Sequence, residues 1–335
     1  MAGTCALLLL TAAALTSCSD KKVTVVGNME NTGDTLVVYG TGNDYPDTLI
    51  VTDGHFTYSA EVEKPHPIYI VQPEKAAVML LAVPGEKAEL TGDMTGDYVI
   101  GGSTFYKEFD ELMKMLKEAT QENATEQIMN YVREHPNSEA AGALLPPILG
   151  GVAPDSLDTF LGLLSDKVKN GRMKEYIDDN VNAMKEQIEE QSKAKELQAE
   201  GREVPDFTLN DLNGNPLSLS SLRGKYVILD FWGSWCGWCI KGIPQMKEYY
   251  QKYKGKFEIL GIDCSDTDEA WRKAVAENEL PWLHVYNPED GDVPELYGIQ
   301  GFPTKIIVDP EGKIYKTVVG EDPAFYTLLD ELFGE

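Results

Sequence analysis

The alternation of apolar and polar positions changes rhythm along the chain. From 23 to 102, short β-prone stretches at 35–39, 48–51, 55–58, 67–71 and 77–81 are separated by turn residues, the pattern of an all-β sandwich. From 103 to 200 the period becomes that of helices. Phe105, Phe109, Leu112, Met113 and Leu116 form one apolar stripe. Leu157, Phe160, Leu161 and Leu164 form a second, and Met173, Tyr176, Ile177, Val181, Met184 and Ile188 a third. Pro136, Pro146, Pro147 and Pro154 break this region into several helices. The stripes are most simply core packing, with a peptide groove as the alternative, and the polar run 186–203 is expected to end the last helix and act as a linker. Beyond 204, two nearly continuous apolar runs, 226–232 and 257–263, read as buried strands. A helical pattern over 268–278 and a short strand over 282–286 follow them. At the other end, Cys5 to Leu15 is apolar except for Thr11. That run is too short to span a bilayer, which takes ~20 residues, and it suits the central segment of a signal peptide.

The run 226–232 leads into Trp235-Cys236-Gly237-Trp238-Cys239, with Pro244 further on. Two residues between cysteines let both sulfurs meet across one turn, so the pair can close as a disulfide or open as a dithiol. A sulfur at the start of a helix lies at its positive end, which favours thiolate and makes Cys236 the nucleophile. Half of a zinc site would need a second Cys-x-x-Cys or a histidine pair. Cys5, Cys18, Cys264, His55, His66, His135 and His284 do not provide that spacing, so no metal is expected.

Several further motifs occur in order: Pro205-Asp206-Phe207-Thr208-Leu209, then Leu217-Ser218-Leu219-Ser220-Ser221-Leu222-Arg223-Gly224-Lys225, Phe231-Trp232-Gly233-Ser234-Trp235-Cys236, Gly301-Phe302-Pro303-Thr304, and Ile306 to Ile314. From about Val204 to the end the chain resembles the thioredoxin superfamily, in particular its TlpA/ResA-like envelope branch. The resemblance implies a C-terminal α/β domain with a central mixed sheet flanked by helices, and it makes 268–286 the helix–strand insertion of that branch. It implies Cys236 as an exposed attacking sulfur and Cys239 as the buried resolving one, with no cofactor beyond this redox-active pair. Trp235 and Trp238 would wall the site. Pro303 would form a cis bond with Phe302 beside the cysteines, leaving the backbone of Phe302 free to pair with a substrate strand while its ring narrows the groove. Asp230 aligns with the buried acid of thioredoxins, which takes the proton of the resolving thiol. It shares a strand face with Ile228 and Trp232, where an acid is costly without a partner; the alternative is a strand-end carboxylate that reaches water.

Two positions depart from the pattern. The tuning acid of ResA-like proteins lies three residues after the second cysteine, where this chain has Gly242. The dipeptide between the cysteines is Gly-Trp, without the proline common in reductases of this fold. Reference proteins of this general fold span about −270 to −120 mV, and the dipeptide strongly influences the value.

The segment 47–56, with Pro84-Gly85-Glu86 and Gly101-Gly102-Ser103, resembles a β domain of unknown role that precedes thioredoxin domains in some Gram-negative envelope lipoproteins. Leu15-Thr16-Ser17-Cys18 resembles a bacterial lipobox, cut before Cys18 so that Cys18 carries lipid. No Lys or Arg precedes the apolar core, which points to a start further upstream. The expected organisation is a signal peptide over 1–17, a lipidated tether over 18–22, a β-sandwich over 23–102, a helical region and linker over 103–200, and a thioredoxin-like domain over 204–335.

Charge narrows the partners. Across 335 residues the net charge is −26, which repels nucleic acid and anionic lipid through their phosphates. With Cys5 removed and Cys18 lipidated, Cys236, Cys239 and Cys264 remain; one pair in a cysteine-poor chain indicates catalysis rather than a disulfide scaffold. Cys264, beside Asp263 and Asp266, is expected to be a buried filler. The reading is therefore an envelope thiol-disulfide oxidoreductase, lipid-anchored and facing the periplasm. It would reduce disulfide-bearing envelope proteins, as in cytochrome maturation or oxidative repair, with electrons from a membrane donor. A disulfide oxidase or isomerase, or a binding and scaffold lipoprotein with secondary redox activity, is the alternative. A peroxide-reducing role fits less well, because the Pro-x-x-x-Thr-x-x-Cys frame of peroxiredoxins is missing at 230–236.

Overall fold

The computed structural model describes residues 21–40, 46–120, 123–144 and 154–334. The leader, the lipobox with Cys18, and Pro146 and Pro147 lie outside the described residues. The chain divides into two units, Met1–Lys185 and Glu186–Glu335.

In the first unit the strands are β1 (Lys22–Glu30), β2 (Thr35–Tyr39), β3 (Asp47–Ile50), β4 (His55–Glu61), β5 (His66–Gln72), β6 (Ala76–Ala82), β7 (Lys87–Asp93) and β8 (Tyr98–Gly102). They form two four-stranded sheets, ordered β4-β1-β7-β8 and β3-β2-β5-β6. Alternate side chains are buried in each: Val23, Val25 and Met29 on β1, Leu36 and Val38 on β2, Ile68 and Ile70 on β5. This is the one-face-in pattern of a sandwich. Helices follow as α1 (Thr104–Glu118), α2 (Ala124–Glu134), α3 (Glu139–Gly142), α4 (Pro154–Leu163), α5 (Asp166–Lys169) and α6 (Lys174–Leu197). The helical stripes pack inward, with Phe105, Phe109, Leu112, Leu157, Phe160, Met173 and Ile177 all buried. Tyr106 donates to the Leu81 carbonyl at 2.8 Å, and the Ile100 amide donates to Asp110 at 2.9 Å, fastening α1 to β6 and β8.

The polar run at 186–203 holds the end of the last helix, but α6 covers most of it, reaching Leu197. The run is rich in Glu, Gln, Lys and Ala, which are strong helix formers, and has no glycine before Gly201.

The second unit holds β9 (Thr208–Asp211), β10 (Pro216–Ser218), β11 (Tyr226–Trp232), α7 (Gly237–Lys252), β12 (Phe257–Cys264), α8 (Asp268–Glu277), β13 (Leu283–Asn287), α9 (Val293–Leu296), β14 (Thr304–Val308), β15 (Ile314–Val319) and α10 (Pro323–Phe333). One seven-stranded sheet runs β10-β9-β13-β12-β11-β14-β15. β11 lies inside it, parallel to β12 and antiparallel to β14. This is the thioredoxin-like α/β architecture, with α8 and β13 where the helix–strand insertion was expected. Its side chains alternate between two cores. Leu229 and Phe231 join Ile262, Val285 and Ile306 on one face; Ile228 packs with Met246, Ile307 and Phe325 on the other, and Trp232 with Trp271. Asp230 therefore belongs to the face of Ile228 and Trp232.

The β14–β15 hairpin turns at Gly312, whose φ of 86° lies in the region that glycine alone adopts freely. Residues just ahead of the domain run along the start of β15: the Gly201 amide donates to Ile314 at 2.7 Å, the Ile314 amide to Arg202 at 2.8 Å, and the Val204 amide to Gly312 at 3.0 Å.

Candidate active site

β11 is buried along almost its whole length and delivers the chain to the turn Gly233 to Cys236, from which α7 begins. Asp266 holds this turn, accepting hydrogen bonds from the Ser234 amide and hydroxyl, both at 2.6 Å. The Trp235 indole donates to the Cys264 carbonyl at 2.9 Å. Cys236 is the N-cap of α7, and its sulfur accepts from the Cys239 amide at 3.1 Å. The two cysteines are joined as a disulfide.

Trp235 and Trp238, beside the pair in sequence, are 52% and 63% exposed. Lys241 lies over the Trp238 ring at 4.7 Å. The Phe302–Pro303 bond is cis, and Phe302 packs edge-on against Trp235 with ring centroids 5.2 Å apart. One expectation needs correcting. Cys236 is not exposed at the helix start: both cysteines are 6% exposed. In the disulfide form Cys236 belongs to a cluster with Trp232, Cys239 and Trp271, against which Phe302 is packed.

Asp230 is also buried, at 7%, so the reading of a strand-end carboxylate reaching water fails. With Cys239, Pro303, Lys305 and Glu321 it lines a cavity of about 10 Å³, close to the smallest volume that holds one water. Its Oδ1 has no hydrogen-bond partner. Burial pushes its pKa up to about 6, and the nearby Glu321 adds to the rise, while Lys305 opposes it. The opposition is weak because the Lys305 ammonium lies 3.9 Å from Asp230 and 2.6 Å from Glu321.

The sequence reading missed several buried polar groups here. Lys305 is 1% exposed and sits directly opposite Asp230 on β14. Asp263 has its pKa raised to about 9 by burial and by Asp266. His284 lies between Trp232 and Trp282, and burial lowers its pKa to about 3, so it is neutral at ordinary pH. Cys264 is buried and free, with its thiol pKa pushed far up by burial. It is the inert filler expected.

Residues 201–317 match the AhpC/TSA family. Over 122 residues, 36% of this chain and 70% of the relative, the sequence is 38% identical to thiol-disulfide oxidoreductase ResA of Bacillus thuringiensis subsp. konkukian. The chain belongs to the thioredoxin-fold thiol-disulfide oxidoreductases. This oxidoreductase is also 35% identical to ResA of Bacillus subtilis strain 168 over 127 residues, 38% of this chain and 70% of that one. Among solved structures, the thioredoxin domain of a thiol-disulfide oxidoreductase from Bacteroides vulgatus is 38% identical to the oxidoreductase. It covers 41% of this chain and 99% of its own, with a TM-score of 0.37.

Proposed function

We propose that the protein reduces disulfides of envelope proteins. The observation that carries this reading is the Cys236–Cys239 pair at the start of α7, framed by Trp235, Trp238, Phe302 and the cis Pro303. In the reduced state the Cys236 thiolate, favoured at a helix N-terminus, attacks a substrate disulfide and forms a mixed disulfide. Cys239 loses its proton and attacks Cys236, forming the internal bond and releasing the substrate as a dithiol. Two electrons pass to the substrate, and a membrane donor restores the Cys236–Cys239 dithiol. The backbone beside Phe302 receives an extended substrate segment, and Asp230 receives the Cys239 proton. The sequence of 1–22 supports export, cleavage before Cys18 and lipid anchorage with the catalytic domain facing the periplasm. Work in cytochrome maturation is the substrate class that the ResA-like resemblance suggests.

Insulin reduction by the full chain tests the chemistry. Wild type should be active and Cys236→Ser should lose all thiol-dependent turnover; retained turnover would sink the assignment. Direction is tested by the reduction potential of the pair. A value at or below about −250 mV supports a reductant, and one near −120 mV makes the protein an oxidant.

A further inference from the structure

The helix position three residues beyond Cys239 is Gly242, and the space above it is taken. A Cβ at Gly242 would fall inside the carboxyl group of Glu321. That carboxyl comes from a different element, the loop between β15 and α10, and three contacts hold it there. The Gly320 amide donates to the Pro303 carbonyl at 2.7 Å, Lys305 donates to Glu321 Oε1 at 2.6 Å, and the Tyr326 hydroxyl lies 3.5 Å from both Glu321 Oε2 and the Gly242 carbonyl. Asp322 then caps α10 by accepting from the Ala324 amide at 2.8 Å.

Resting on the reading of Cys239 as the resolving thiol, we propose that Glu321, held by Lys305, acts with Asp230 as the proton store for Cys239, supplying from a loop the carboxyl that Gly242 lacks. The groups around the shared cavity are Cys239 from α7, Asp230 from β11, Lys305 from β14, and Glu321 just before α10, with Tyr326 of α10 against Glu321. His284 stands behind Trp232 and Trp282. The other lining residues, Trp232, Ile243, Met246, Leu280, Trp282 and Pro303, carry no charge. Two carboxylates and one ammonium leave one negative charge in a nearly dry site, so the cluster gains by taking up one proton. In the resolving step the Cys239 proton passes to this cluster and its sulfur attacks Cys236. The Cys236–Cys239 bond forms as the bond from Cys236 to the substrate sulfur breaks, and the substrate leaves as a thiolate that takes a proton from water. Glu321 and Lys305 are positioning and proton-holding residues, not nucleophiles.

The test follows the reduced full-length protein reacting with Ellman's disulfide in a stopped-flow spectrometer. A first burst of released aromatic thiolate reports attack by Cys236, and a second reports resolution by Cys239. Glu321→Gln should keep the first burst and slow the second by about 100-fold or more near neutral pH, moving its pH dependence to the alkaline side. Glu321→Gly combined with Gly242→Glu, which returns a carboxyl to the vacated space from the helix, should recover most of the rate and the original pH dependence. A role confined to packing would give neither the alkaline shift nor the rescue. If Glu321→Gln does not fold because Lys305 is left facing Asp230 alone, the triple variant Asp230→Asn, Lys305→Met and Glu321→Gln, which removes every charge from the cluster, should show the same slow second burst, and returning Glu321 alone to that background should speed it. A second burst of wild-type rate and pH dependence in the Gln variants overturns the proposal, as does a folded Gly242→Glu double variant without rescue. A missing first burst in wild type would instead overturn the reading of the site itself.

Discussion

Asp230 is exposed to two opposed influences, and their magnitudes decide its state. Burial disfavours its charged form, and the cation beside it, Lys305, is 3.9 Å away and closer to Glu321. Desolvation wins, and the carboxyl titrates near 6 instead of its usual 3.8. The consequence for stability has a definite sign. Between about pH 4 and 6 the folded protein keeps a proton that the unfolded chain has already released, so this group makes stability fall as pH rises through that window. The shift corresponds to roughly 3 kcal/mol by pH 7, at 1.36 kcal/mol per unit. Asp230→Asn should therefore gain about 1–3 kcal/mol on wild type between pH 4 and pH 7, measured by urea unfolding at each pH. Parallel stability profiles for the two proteins would show that Asp230 is not the group responsible.

Strand and helix positions explain which parts of this site could be read in advance. β11 and α7 were legible because a long apolar run meets a cysteine at the helix N-cap, both local signals. The insertion helix α8 was legible for the same reason: Thr267 caps it, accepting from the Ala270 amide at 3.2 Å. β1, β7 and β8 were not singled out, and Gly27 and Gly92 interrupt the apolar alternation of the first two. Gly27 is there because the Phe56 ring of the neighbouring strand covers it, a cross-strand cause that local sequence does not reveal. Lys305 escaped notice for a similar reason. A lysine in a strand ordinarily faces water, and its partner Glu321 lies sixteen residues on, beyond a hairpin. The available signal was the pairing of opposite charges inside two strongly apolar strands. Gly261 on β12 shows the same dependence on neighbours, since a Cβ there would lie 2.7 Å from His284 Nδ1 and 3.2 Å from the Trp232 indole nitrogen. Gly261→Ala should cost about 1–3 kcal/mol and disturb the Trp232 side of the active-site cluster, read by denaturant unfolding and near-ultraviolet circular dichroism. An unchanged midpoint would mean that these rings shift without penalty.

At the scale of the whole molecule, the chemistry lies within the second unit and the first contributes no residue to the cluster described. A fragment comprising 186–335 should therefore keep insulin reduction close to that of the full chain, whereas a large loss would show that the sandwich and helical region take part in turnover with a generic substrate. Where such a fragment is cut matters. β15 is the last strand of its sheet, and Gly201 and Arg202 occupy hydrogen-bonding groups at its start. A fragment begun at Val204 would strip that cover and free the Ile314 amide and carbonyl at the sheet edge to pair with another chain. Such a fragment should self-associate with rising concentration in sedimentation while the fragment from 186 stays monodisperse, so two residues that carry no chemistry, Gly201 and Arg202, decide whether the catalytic domain can be handled alone.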